Sequence, residues 1–195
     1  MAKLYFSYAA MNAGKSTILL QAAHNYRERG MDVLLLTSEL YGGTKDGHIS
    51  SRIGISSEAT LYSDKVDLFA LVQDVMARGR LDAIFVDEAQ FLTKAQVWQL
   101  ARVTDYLHVP VLAYGLRTDF RGELFEGSAA LLAIADNLRE IRTICECGSK
   151  ATMVVRLGPD GKALTTGDQV SIEKTTYVSL CRRHWEERMG RFPIG

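Results

Sequence analysis

The run Ala9-Ala10-Met11-Asn12-Ala13-Gly14-Lys15-Ser16-Thr17 constrains this chain more than any other stretch. The residues before it, 3–8, read as a strand. After it, Ile18, Ala22 and Tyr26 recur at helical spacing, with Leu19 and Ala23 beside them. A strand, a loop ending in Gly-Lys-Ser-Thr and a helix, in that order, form the context of a phosphate-binding loop. The helix is expected to reach about Arg29, with Gly30 at its C-terminal end. Residues 33–36 are continuously apolar, as a strand buried on both faces requires. Strand, loop, helix and strand make a βαβ unit and imply a parallel sheet. In such a loop the backbone N–H groups and the helix N-terminus surround the phosphates. Lys15 would reach the β- and γ-phosphates, and Ser16 would ligate Mg²⁺. The plainer alternative is a strand-to-helix turn with a surface lysine. Ala9 stands where the strict motif carries glycine. If that position demanded a positive φ, alanine would cost about 1 kcal/mol.

A second constellation lies downstream. Ile84-Phe85-Val86 is an apolar strand, expected over 83–86, that ends in Asp87-Glu88. Acids at the C-terminal end of a strand stand where α/β sheets bind ligands. Asp87 would hold Mg²⁺ through water. Glu88 has two open roles: it activates water in an ATPase, or takes the proton of a substrate hydroxyl in a kinase. A solvated acidic turn is the alternative.

The remaining elements follow from periodicity. A helix is expected over about 66–78, with Leu68, Leu71, Val72, Val75 and Met76 on one face. Thr93 and Gln96 form a capping-box pattern that starts a third helix, burying Val97, Leu100 and Ala101 and ending before Pro110. Residues 111–114 read as a strand. Residues 41–57, rich in Gly and Ser, are expected to be a mobile loop, and 115–127 a loop with charged and aromatic residues. From Thr143 the helical period fades. Short β-like runs at 151–157, 170–172 and 177–180 flank a turn at Gly158-Pro159-Asp160-Gly161. The expected organisation is an α/β domain over 1–142 and a small subdomain over 143–195.

Composition narrows the classes. The chain carries 23 Lys+Arg against 23 Asp+Glu, and 47% of its 195 residues are hydrophobic. That excludes disorder and a polybasic arm, and it removes the electrostatic footprint that usually marks a nucleic-acid binder. No apolar run approaches the ~18 residues of a membrane span. Lys3 with the apolar residues after it is too short and interrupted for a signal peptide, so a cytoplasmic chain is expected.

The chain has three cysteines, and all fall in one pattern: Cys145-x-Cys147 and Cys181-x-x-His184. Three thiolates and an imidazole suit tetrahedral structural zinc, one ion per chain. A closed set of four ligands leaves no open position, so the metal would brace the subdomain rather than catalyse. Buried apolar cysteines are the alternative.

Together these residues resemble the cellular-type (type II) thymidine kinase family, in particular its enterobacterial branch. The resemblance rests on the phosphate loop, Asp87-Glu88-Ala89-Gln90-Phe91, Tyr114-Gly-Leu-Arg-Thr-Asp-Phe-Arg-Gly122, the paired cysteines and the C-terminal tyrosine loop. It implies a P-loop NTPase (RecA-like) parallel sheet with helices on both faces, plus a zinc-binding β subdomain bearing a lasso loop. It implies transfer of the γ-phosphate of ATP to the 5′-hydroxyl of thymidine, and of deoxyuridine, in pyrimidine deoxynucleotide salvage. Glu88 matches the catalytic base. Residues 9–17 with Asp87, Glu88, Ala89 and Gln90 match the ATP site, and Ser16 and Asp87 the magnesium ligands. Phe91, Leu116, Phe120, Met153, Val154, Val170, Ser171, Ile172 and Tyr177 match nucleoside contacts. Arg52 and Arg117 are candidates to stabilise the transferred phosphoryl. The resemblance further implies a homotetramer inhibited by thymidine triphosphate. Where the family carries Gly-Gly after the lasso isoleucine, this chain reads Ile172-Glu173-Lys174-Thr175-Thr176-Tyr177. The rival readings are a P-loop ATPase whose zinc ribbon binds nucleic acid, and a non-catalytic nucleotide-binding module.

Overall fold

A computed structural model describes residues 1–40, 47–169 and 176–191. The chain opens with β1 (Leu4–Ala9), α1 (Lys15–Glu28) and β2 (Val33–Ser38). Ala9 closes β1, and the left-handed residues of the loop are Asn12 (φ 61°) and Gly14 (φ 79°). Ala9 has no positive φ, so the cost that such a conformation would carry does not arise. The turn into α1 falls on Gly14, which has no Cβ to oppose it.

A hairpin follows, β3 (His48–Ser50) and β4 (Ser56–Glu58), and then β5 (Thr60–Tyr62). The hairpin corrects the mobile-loop reading of 41–57 within the described residues; residues 41–46 lie outside them. Ile49 is fully buried in the cluster beneath α1, while His48 and Ser50 face outward. One buried residue between polar neighbours is too short a signal for periodicity to find.

Next come α2 (Leu68–Arg78), β6 (Ala83–Val86), α3 (Lys94–Tyr106) and β7 (Val111–Leu116). Asp67 caps α2 by accepting from the N–H groups of Phe69 and Ala70. The capping box at Thr93 and Gln96 forms as expected. Periodicity did not reveal the next two elements, α4 (Glu126–Ile134) and β8 (Asn137–Glu140), the strand that completes the sheet. Ala and Leu cover α4 on several sides and hide its period; β8 is a polar, largely exposed edge strand.

The sheet runs β5-β2-β6-β7-β1-β8 with every pairing parallel. One face buries Phe6, Leu36, Ile84 and Val86 with α2, α3 and α4; the other buries Leu35 and Phe85 beneath Leu19 and Ala23 of α1. Adjacent residues of one strand thus feed opposite cores, which explains the unbroken apolar runs. The loops after β1, β6 and β7 meet at the C-terminal edge of the sheet, where such folds hold ligands.

Beyond the sheet lie β9 (Thr143–Ile144), β10 (Lys150–Ala151), β11 (Met153–Leu157), β12 (Thr176–Leu180) and α5 (Arg182–Arg188). β11 and β12 pair antiparallel. This part has its own apolar cluster, built on Val155, Leu180, Trp185 and Met189.

Candidate active site

The loop after β1 brings Lys15 and Ser16 against the acids at the end of β6. The Ser16 hydroxyl donates to the Asp87 carboxylate at 2.8 Å, and the Glu88 N–H donates to its other oxygen at 3.0 Å. Burial pushes the Asp87 carboxyl up, against the pull of those two donors and of Lys15. Lys15 is itself buried, and burial lowers its ammonium group, while Glu88 and Asp87 oppose the shift. A buried ammonium beside one buried and one half-buried acid is a pocket arranged for a charged ligand. A cavity of about 250 Å³ opens above it, lined by residues of the loop, by Ser50, Ser51, Arg52 and Ile53, and by Glu88 and Leu116. Arg52 thus faces the phosphate loop. Arg117 turns elsewhere and donates to the Thr152 carbonyl at 3.1 Å.

Glu88 sits at the turn out of β6 in the left-handed region, with φ 52° and ψ 38°. Few residues other than glycine adopt that conformation, and those that do concentrate at functional sites. Burial raises its carboxyl to about 7, the Asp87 charge adds to the rise, and Lys15 and the Gln90 amide oppose it. A carboxyl tuned near neutrality is suited to proton transfer. Gln90 fixes its direction: the side-chain N–H donates to Glu88, and its oxygen accepts from the Leu116 N–H at 3.0 Å. A Cβ on Gly115 would lie 2.9 Å from the Gln90 backbone nitrogen and 3.0 Å from its Oε1, so β7 needs glycine there.

A second cavity of about 130 Å³ lies on the other side of Glu88. Phe91, Leu116, Phe120, Val154 and Tyr177 line it, with Gln90. Met11, Glu88 and Leu116 belong to both cavities. Met153 packs with the Trp185 cluster instead, and Val170, Ser171 and Ile172 lie outside the described residues. Gln90, expected with the nucleotide, faces this second cavity, and Ala89 is buried in the core beneath the turn.

The paired cysteines converge. Ligand atoms of Cys145, Cys147, Cys181 and His184 all lie within 4.8 Å of one another. The His184 Nδ1 is 3.2 Å from the Cys145 sulfur, and the Cys147 and Cys181 sulfurs are 4.0 Å apart. Ligands at ~2.3 Å around a tetrahedral zinc stand at such separations, so this set fits zinc. Burial pushes the Cys145 thiol up, but N–H groups of Cys147 and Cys181, with His184, bring it down to about 6, the thiolate a metal needs. Next to His184, the Trp185 ring N–H donates to the carbonyls of Phe120 (3.0 Å) and Val154 (3.1 Å), two walls of the second cavity.

A family profile described as thymidine kinase matches residues 2–185. The chain belongs to the thymidine kinase family. The thymidine kinase of Mesorhizobium japonicum is 63% identical over 98% of this chain and 94% of its own length. That of Ruegeria pomeroyi is 60% identical over 97% and 96%, and that of Photobacterium profundum 52% over 98% and 100%. Among solved structures, an ATPase domain superposes with a TM-score of 0.50 at 12% identity, over 79% of this chain and 75% of that one. This likeness shows the fold, a P-loop ATPase-type parallel sheet. Among the described residues, no helix is long and apolar enough to cross a membrane.

For a thymidine kinase, the structure adds residues that the motifs did not supply. Leu40, Thr118, Asp119, Phe125 and Gln169 also line the second cavity. Asp119 is almost fully buried, accepting from the N–H groups of Arg121 and Glu123 and from Gln169. Its place beside Phe120 in the loop after β7 was the one available hint. Nothing local marks Leu40 or Gln169.

Proposed function

We propose that the chain transfers the γ-phosphoryl group of ATP to the 5′-hydroxyl of thymidine, and of deoxyuridine, giving the monophosphate and ADP. One observation carries the reading: Glu88 stands in the wall common to a cavity over the phosphate loop and a cavity lined by aromatic residues. The thymidine kinase names of the full-length relatives support the choice of nucleoside.

Residues 9–17 cradle the triphosphate, and Lys15 offsets its charge. Ser16 and Asp87, joined across the loop, would hold the Mg²⁺ of the nucleotide, which supplies charge neutralisation when bound. Arg52 covers the phosphates from the hairpin side. In the second cavity Phe91, Leu116, Phe120, Val154 and Tyr177 hold the nucleoside and exclude water, so the phosphoryl group meets a sugar hydroxyl rather than solvent. Glu88 then takes the hydroxyl proton as the oxygen attacks.

We read residues 1–142 as the nucleotide-binding domain and 143–195 as the subdomain that would hold one structural zinc per chain through Cys145, Cys147, Cys181 and His184. The separate Trp185 cluster supports this division. Val170, Ser171 and Ile172 are read as lasso contacts of the nucleoside. The same reading includes thymidine triphosphate as a feedback inhibitor, a homotetramer and a cytoplasmic enzyme.

The test is ADP release from Mg-ATP with thymidine, other deoxynucleosides, single-stranded DNA or buffer alone. Thymidine-dependent release with thymidine monophosphate as product is expected. Release stimulated by DNA alone would assign the chain to nucleic-acid-linked ATP hydrolysis.

A further inference from the structure

Glu88 needs help to stay in a left-handed conformation. Tyr62, the last residue of the edge strand β5, lies beneath it, 1% exposed. Its phenol O–H donates to the Glu88 backbone carbonyl at 3.0 Å and lies 3.5 Å from that of Asp87. Ser38 is the register partner of Tyr62 across β2 and β5, and its hydroxyl hydrogen-bonds the same phenol oxygen. The Leu40 N–H in turn donates to the Ser38 oxygen at 3.2 Å, and Leu40 lines the second cavity. A continuous chain of bonds therefore runs from the wall of that cavity, through Ser38 and Tyr62, to the backbone of Glu88.

We infer that Tyr62 is a positioning residue: its hydroxyl grips the Glu88 carbonyl, holds the turn left-handed and so aims the carboxylate between the two cavities. The inference rests on the reading of Glu88 as the base. Tyr62 reaches neither cavity and touches no substrate; it acts through Glu88. A phenylalanine fills the same volume in the apolar cluster around it and removes the grip together with the Ser38 bond to the phenol. With the hydroxyl gone, the Glu88 carbonyl keeps the Phe91 N–H but loses the donor that ties it to the edge strand, and the turn relaxes away from the strained conformation.

The experiment is a double-mutant cycle of Tyr62→Phe and Glu88→Gln, read as kcat, as KM for each substrate and as thermal midpoint. Tyr62→Phe is expected to lower kcat about tenfold, the loss of one well-placed hydrogen bond, while the KM for ATP stays within about twofold. In the Glu88→Gln background the same substitution is expected to change the residual kcat by less than about twofold. An equal loss in both backgrounds, or unchanged kcat in Tyr62→Phe, overturns the inference. Near-normal kcat in Glu88→Gln alone overturns the base assignment instead, so the two failures are distinct. If Tyr62→Phe does not fold, Ser38→Ala serves as the second variant. It removes the donor that orients the phenol and is expected to give a smaller kcat loss, again absent beside Glu88→Gln; a loss that persists there counts against the inference.

Discussion

The side-chain amide of Gln90 donates to the Glu88 carboxylate, and the oxygen of the same amide accepts from the backbone of β7 at Leu116. The direction of the candidate base is therefore set by a strand that carries neither acid. Gly115→Ala would place a Cβ 3.0 Å from the Oε1 of that amide and 2.9 Å from the Gln90 backbone nitrogen, and so displace the side chain. The expected result is a loss of about 1–3 kcal/mol in stability, from overpacking. A fall in kcat larger than the fall in ATP affinity should accompany it. Urea unfolding and steady-state kinetics on one preparation test both.

The acid limb of the rate profile should belong to Glu88. Its carboxyl is raised to about 7 by burial and by the Asp87 charge, and only the ionised form accepts a proton. The kcat/KM for ATP, which reports the free enzyme, should fall about tenfold per pH unit below about pH 6 and level off above about pH 8. A limb that bends near pH 4.5 would place the base elsewhere.

The same shift has a stability consequence of definite sign. The folded state binds the Glu88 proton more tightly than an ordinary glutamate, whose value is 4.5, does. Between about pH 4.5 and 7 the folded state therefore holds more protons than the unfolded one, and stability declines as pH rises. Glu88→Gln removes this slope. The variant should gain thermal midpoint relative to the parent at pH 8, but not at pH 4, while its turnover drops by about 10²-fold or more. Thermal melts of both proteins across that range give the answer.

Metal should be structural and stoichiometric. The four ligand atoms lie within 4.8 Å of one another, so elemental analysis should find one zinc per chain. Cys181→Ser is expected to cost about 3 kcal/mol or more, roughly 10 °C in thermal midpoint. Because Trp185 on the adjoining helix bonds the carbonyls of Phe120 and Val154, the variant should also raise the KM for thymidine more than that for ATP. Metal-free protein with unchanged melting would return the cysteines to ordinary packing.

Much of the fold could be read from residues alone, because the signals were local. The strands 83–86 and 111–114, the capping box at Thr93 and the turn at 158–161 each depend on neighbours in sequence. The elements that escaped depend on partners far away. β8 is polar and becomes a strand only because β1 presents a parallel edge to it from Tyr5 through Tyr8. β5 is three residues long and takes its meaning from Ser38 across the ladder. The site divides the same way. Lys15, Ser16, Asp87 and Glu88 sit in motifs whose spacing carries the chemistry. Leu40, Tyr62 and Gln169 are placed by tertiary contacts that no spacing records.

The Ser179 hydroxyl donates to the Met11 carbonyl, and the Asn12 amide reaches the Tyr177 carbonyl at 3.4 Å. The phosphate loop therefore leaves the ribosome long before its neighbours on β12. A nascent chain can assemble most of the sheet and still lack one wall of the site. Catalytic competence then arrives late in synthesis rather than with the first folded strands, and a chain cut short before Thr176 yields a sheet with an open, idle loop.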